Sequence, residues 1–294
     1  MKPLITLAVL LLGATSLLRA ETAPASVAPK QPVPLAGTEL RVLPFKGPDR
    51  QYQLHVALPA SYDEKKNHRY PVIFVTDGYW DLPTLYCSYN NFTYDKVVPE
   101  CILVGLGYAG DKPDFGTLRS WDLSPAPVFD HGEHSGHAAD FLALLEKEII
   151  PLVEREYRAD PQHRYLAGSS LGGLFTLYTM FTKPELFQGY IAASPATGVA
   201  SDWLFAYEEK FAKTGRPLNA RLYMTGAELE WPKFLDAIKR FDARLTTRKY
   251  QGLAYQFRLI DGERHAGTKA ESYARGMRFV LAPLAPESGP MADD

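Results

Sequence analysis

Five residues, Gly168-Ser169-Ser170-Leu171-Gly172, constrain this chain more than any other stretch. They fit G-x-S-x-G and stand between Arg164-Tyr165-Leu166-Ala167, which has strand character, and Gly173 to Phe181, a helical run that Lys183-Pro184 stops. Strand, sharp turn and helix are the setting of a nucleophile elbow, in which a strained serine exposes its hydroxyl at the top of a sheet. Glycines two residues either side of that serine remove Cβ atoms that would otherwise collide. Taken alone, the same pattern describes a Gly/Ser turn capping an ordinary helix, with Ser169 or Ser170 as N-cap. The flanking strand and helix favour the elbow.

The rest of the chain supplies a fold around that turn. Leu40 to Leu43 and Tyr52 to Leu58 read as an opening hairpin with period-2 patterning. Pro71-Val72-Ile73-Phe74-Val75 and Cys101 to Leu106 are continuous apolar runs, as expected of strands buried on both faces. A long helix is expected from about Ala138 to Tyr157, kinked or split by Pro151. Strands follow at Tyr190 to Ala193, Arg221 to Met224 and Tyr255 to Ile260, with a helix opened by Pro232 and a final helix burying Tyr273, Met277 and Val280. Such alternation predicts an α/β fold: a mostly parallel central sheet with helices on both faces, in a single domain over 39–284. A chain of 294 residues, 46% hydrophobic, is long enough to bury that core. The formal net charge of -2, with no basic stripe, argues against nucleic acid as a partner.

The ends read differently. Lys2, the apolar run Leu4 to Leu18 and Leu18-Arg19-Ala20 have the form of a secretory signal peptide over 1–20, too short for a membrane span. That places the mature protein in the periplasm or outside the cell, without a stable membrane anchor. Residues 21–38 carry Pro24, Pro29, Pro32 and Pro34 and read as an extended tether, and 285–294 as a tail. In an oxidising compartment Cys87 and Cys101 are either a disulfide candidate or two buried free thiols.

A serine nucleophile needs a base and an acid, which in α/β-hydrolases follow it in the order Asp/Glu, then His. Of the seven histidines only His265 comes after Ser170, in Asp261-Gly262-Glu263-Arg264-His265 directly beyond the last strand. Two carboxylates compete for the acid on the loop after Arg221 to Gly226: Glu230, the preferred one, and Glu228. The one not used is expected to complement the N-terminus of the helix opened by Pro232. Oxyanion donors are expected from the backbone N–H of Leu171 and of Tyr79, in Thr76-Asp77-Gly78-Tyr79-Trp80, with Gly78 allowing the turn.

These motifs occur in one order with Gly105-Leu106-Gly107-Tyr108, Arg119-Ser120-Trp121-Asp122-Leu123-Ser124-Pro125, Glu148-Ile149-Ile150-Pro151 and Pro184-Glu185-Leu186-Phe187. Together they resemble the esterase branch of the α/β-hydrolases, which includes enterochelin (siderophore) esterases, feruloyl esterases, S-formylglutathione hydrolase and mycolyl transferases. The resemblance spans roughly Glu39 to Leu284 and is nearest to the siderophore-esterase-like members. It implies Ser170 as nucleophile, His265 as base, Leu171 and Tyr79 as oxyanion donors, and an acid near Glu228 or Glu230. The chain departs from the family pattern at Ser169, where His is frequent, and at Ser194-Pro195-Ala196-Thr197-Gly198, which lacks an aromatic pair.

One other cluster competes for a role. His131-Gly132-Glu133-His134-Ser135-Gly136-His137 has the donor types for zinc, but its glycines disfavour a regular helix, and it reads instead as a polar pocket rim. Trp80, Arg119 and His134 are the candidates for substrate contact, and Trp121, Trp203 and Trp231 are aromatic enough to line a pocket. The expectation is therefore a serine hydrolase of a small-molecule carboxylic ester, working through an acyl-enzyme and needing no cofactor or metal. An acyltransferase on the same site and a non-catalytic ligand carrier of the same fold are the alternatives.

Overall fold

Alternate residues of one strand explain the layering. In β3 (Tyr70–Val75) every residue is buried. Val72 and Phe74 join one apolar cluster while Ile73 and Val75 join another, as period-2 side chains do when both faces of a sheet are covered. The strand is a member of an eight-stranded sheet in the order β1-β2-β4-β3-β5-β6-β7-β8. Its other strands are β1 (Thr38–Gly47), β2 (Arg50–Ala57), β4 (Ile102–Tyr108), β5 (Ala159–Ser169), β6 (Gly189–Ala193), β7 (Ala220–Ala227) and β8 (Leu253–Ile260). The pair β1–β2 is the expected antiparallel hairpin, β2 pairs antiparallel with β4, and every pairing from β4 through β3 to β8 is parallel. This computed structural model describes residues 34–47, 50–128 and 134–286. The signal peptide, residues 21–33 of the proline-rich stretch, the tail beyond 286, and His131 and Glu133 lie outside the described residues.

Helices cover both faces. Helices α1 (Gly78–Tyr94) and α8 (Thr268–Leu281) cover one, where Leu82, Leu85, Tyr273, Met277 and Val280 meet Ile73, Val75, Ile191 and Tyr223. The opposite face carries α5 (Leu171–Thr182) and α7 (Pro232–Arg248), whose Phe175, Met180, Ile238 and Phe241 pack with Phe74, Leu166, Leu222 and Met224. The long helix expected before the elbow is α3 (Ala138–Leu144), a π-helical turn (Leu145–Ile149) and α4 (Ile150–Glu156). Pro151 has no N–H to offer and its ring crowds the carbonyl one turn back, and the widened turn lies directly ahead of it. Two further helices, α2 (Phe115–Leu123) and α6 (Val199–Ala212), complete the fold, and a short 3₁₀ turn (Ala282–Leu284) follows α8.

The two cysteines form no bridge. Cys101 is buried ahead of β4, where its N–H donates to Tyr89 Oη at 2.7 Å, whereas Cys87 sits on the exposed side of α1. They are therefore neither a disulfide nor a pair of buried thiols.

Strand order reverses between β3 and β5: β4 lies on one side of β3, and β5 to β8 run off the other. The crevice outside the carboxyl ends of such a switch point is where open α/β sheets bind ligands. Both the loop after β3 and the turn after β5 open there.

Candidate active site

The turn after β5 is strained in the manner of an elbow. Ser170, between the end of β5 and the start of α5, has φ 59° and ψ −116°, a conformation that costs an L-residue of order 1–3 kcal/mol. Its N–H donates to Ala193 O and its carbonyl accepts from Ala196 N–H, each at 3.0 Å, so the end of β6 braces it on both sides. The side chain is half-buried. The glycines are required by contact: a Cβ on Gly168 would lie 2.4 Å from the Gly172 carbonyl, and one on Gly172 would lie 2.1 Å from Thr76 Oγ1.

That last contact places the loop after β3 against the elbow. The loop's left-handed residue is Asp77 (φ 53°, ψ 43°), not Gly78 as the sequence suggests. Gly78 serves close approach instead, since a Cβ there would meet the Gly105 backbone at 2.4 Å. Asp77 is held in its conformation by Arg119, whose Nε and Nη2 donate to the two carboxylate oxygens at 2.9 and 2.8 Å. Burial opposes the charge on Arg119, but Asp77 outweighs it and keeps the guanidinium firmly protonated. Arg119, expected as a substrate contact, thus spends its fork on shaping this loop, and its side chain is only 19% exposed. Tyr79 and Leu171 fall in the first turns of α1 and α5, where backbone N–H groups have no intrahelical acceptor and point outward as donors.

The candidate acid and base follow the last two strands. Glu230 follows β7 and His265 follows β8. His265 Nδ1 lies 2.9 Å from Glu230 Oε2, with the carboxylate wholly buried and the imidazole side chain 23% exposed. A carboxylate only accepts, so Nδ1 is the donor here, which in the neutral ring makes Nε2 the acceptor. The same oxygen accepts a hydrogen bond from Ser194 Oγ at 2.5 Å. Ser194 escaped the sequence reading, and its one signal there was a hydroxyl residue directly after an apolar strand. Glu228 is exposed and accepts from Gly262 N–H at 2.7 Å, pinning the histidine loop to the acid loop. It therefore does not complement α7, whose N-cap is Trp231 without a side-chain bond.

Aromatic groups surround His265. Phe234 meets the His265 ring edge-on at 5.0 Å and Trp231 lies 5.2 Å away. Trp231 (63% exposed), Leu229 (55%) and Trp80 (55%) present apolar surface to solvent. A cavity of about 580 Å³ opens here between Leu229, Glu230, Trp231, Arg264 and His265. Trp80 is oriented by Lys269, whose Nζ sits 3.7 Å from its ring centroid. Lys269 also donates to buried Asp81 Oδ1 at 2.5 Å, and Tyr273 Oη donates to Asp81 Oδ2, so the first turn of α1 is fastened to α8. Burial pushes the Asp81 carboxyl up while Lys269 pulls against it.

His134 is exposed and borders a separate cavity of about 460 Å³ with Arg50, Gln51, Leu118 and Trp121. Helix α2 links that cavity to the loop after β3, because Phe115 stacks on Tyr79 at 3.7 Å. His137 lies flat on Trp121 at 3.7 Å. Trp203 stacks on Tyr207 at 4.7 Å in the packing between α5 and α6.

The family described as Putative esterase matches residues 46–228. Ferri-bacillibactin esterase BesA of Bacillus subtilis (strain 168) is 29% identical over 273 residues, covering 86% of this chain and 92% of that protein. The crystal structure of the BES protein from Bacillus cereus is similar with a TM-score of 0.77 at 26% identity, over 87% of this chain and 98% of that one. The siderophore hydrolase EstA from Aspergillus nidulans has a TM-score of 0.76 at 19% identity, over 88% and 99%, a likeness of fold. With an elbow serine, a buried Glu–His pair and this match over more than half its length, the chain belongs to the Putative esterase family and is a carboxylic ester hydrolase of the α/β-hydrolase fold.

Proposed function

We propose that Ser170 is the nucleophile, His265 the general base, Glu230 the acid that orients it, and Leu171 and Tyr79 N–H the oxyanion donors, in hydrolysis of a siderophore-type ester. His265 Nε2 takes the proton as Ser170 Oγ bonds to the ester carbonyl carbon. The tetrahedral oxyanion forms against the two N–H groups, each worth about 3 kcal/mol to the transition state. Collapse breaks the bond to the leaving alkoxide, which His265 protonates, and water repeats the sequence to free Ser170.

The observation that carries this reading is the His265–Glu230 contact at 2.9 Å on the same sheet edge as the strained serine. The siderophore class is supported by the name of the Bacillus subtilis relative and by the exposed Trp80 and Trp231 beside the site, which suit a bulky aromatic ligand. The apolar N-terminal segment supports export to the periplasm or beyond.

Ser170→Ala should abolish both p-nitrophenyl butyrate hydrolysis and labelling by a fluorophosphonate while preserving the circular dichroism spectrum. Turnover retained in that variant removes the serine mechanism. A panel of an iron-loaded catecholate trilactone, a feruloyl ester and a short acyl ester tests the substrate. The trilactone should give the highest kcat/KM, and preference for either of the others refutes the siderophore assignment.

A further inference from the structure

We infer that Ser194 is a positioning residue for the acid–base pair, its hydroxyl fixing the Glu230 carboxylate for His265. The inference rests on the roles assigned above to Ser170, Glu230 and His265. Ser194 directly follows β6, is fully buried, and takes a left-handed φ of 41°. Its hydroxyl donates to Glu230 Oε2 at 2.5 Å, the oxygen that also accepts from His265 Nδ1. Glu230 Oε1 is buried without a hydrogen-bond partner among the described residues. Ser194 thus supplies one of the two side-chain donors on a carboxylate that has no access to water, and donors to a buried anion are the stronger kind.

Its backbone is tied into the same machinery. Ser194 N–H donates to Thr225 Oγ1 at 3.2 Å. Thr225 Oγ1 lies 2.8 Å from Ser272 Oγ, which donates to Thr268 O at 2.6 Å. Thr268 Oγ1 then donates to His265 O at 2.9 Å. With Ser272 donating onward, the Thr225 proton must point to Ser272, so the hydroxyls run in one direction from the end of β6 across β7 to α8 and back to the base. On the other side, the carbonyl of the preceding Ala193 accepts from Ser170 N–H. One residue therefore stands between the nucleophile's strand and the acid, in a conformation that only its surroundings impose.

Ser194→Ala and Ser194→Gly both delete the hydroxyl, and glycine accepts the positive φ without strain. Wild-type protein is first shown to react with a fluorophosphonate at Ser170; failure there sinks the catalytic assignment itself, separately from this inference. With p-nitrophenyl butyrate, kcat should fall about tenfold in both variants while KM stays within about twofold. The rate of fluorophosphonate labelling of Ser170, which needs the same base, should fall in step with kcat. Unchanged kcat, or a fall in kcat with the labelling rate unchanged, overturns the inference. So does failure of both variants to fold, which would make Ser194 structural.

Discussion

Replacing Glu230 by Gln keeps the volume of the side chain and removes its charge. As proton transfer begins, His265 becomes an imidazolium beside a carboxylate whose Oε2 is 2.9 Å from Nδ1. At roughly 4 Å between charge centres and an effective dielectric of about 20, that attraction is about 4 kcal/mol. Its loss corresponds to about a thousandfold in kcat. The amide oxygen can still accept from His265 and Ser194, but its NH₂ must occupy the position of Oε1, which is buried among groups offering no partner. An unpaired buried donor adds about 1–3 kcal/mol of destabilisation. The assay is kcat for p-nitrophenyl butyrate beside urea unfolding, with Glu228→Gln measured in parallel. Glu228 is exposed and, among the described residues, accepts the Gly262 N–H, an acceptor role the amide oxygen repeats, so that variant should stay within about threefold of wild type. A Glu230→Gln enzyme retaining more than about a tenth of kcat, or a larger loss in Glu228→Gln, refutes the assignment of the acid.

The elbow gives a second prediction: Gly172→Ala puts a Cβ 2.1 Å from Thr76 Oγ1 and should displace the loop that carries Tyr79, lowering kcat about a hundredfold or more. The double variant Gly172→Ala/Thr76→Ala should recover part of that loss, and full additivity of the two changes would refute the contact as cause. A third concerns pH. Burial pushes the Asp122 carboxyl up from 3.8 to about 6 against the pull of Arg50 at 2.8 Å. Because the folded value exceeds the unfolded one, this group's stabilising contribution is complete below about pH 4 and is lost as pH rises through 6, by about 3 kcal/mol at most. Asp122→Asn should flatten the urea midpoint between pH 4 and 7 relative to wild type, and an unchanged slope refutes it.

The strands around the site were legible because β3 and β4 are unbroken apolar runs whose two faces are both covered. The elbow was legible because its glycines answer to local sterics. Helix α1 was not, since it starts within the oxyanion loop, contains Pro83 and carries polar residues such as Asn90 and Asn91 at its far end. Nor could sequence choose between the two carboxylates. Glu228 and Glu230 are two residues apart, and only their tertiary partners, Gly262 for one and His265 for the other, separate them. Arg119 misled because a cation near a cleft suggests a ligand, while its counter-ion, Asp77, lies 42 residues earlier in the chain. Ser194 carried only a hydroxyl after an apolar strand as a signal, because its partner is a carboxylate 36 residues further on.

The Asp81–Lys269–Tyr273 cluster has a mechanical consequence. It rivets α1, which carries Tyr79, to α8, which begins just past His265, at the heart of an apolar layer. Parting these two helices would break buried charge-assisted bonds, so they hold their spacing as one unit. Heating should then leave no half-assembled enzyme: catalytic competence and the surrounding scaffold vanish together, in one cooperative event.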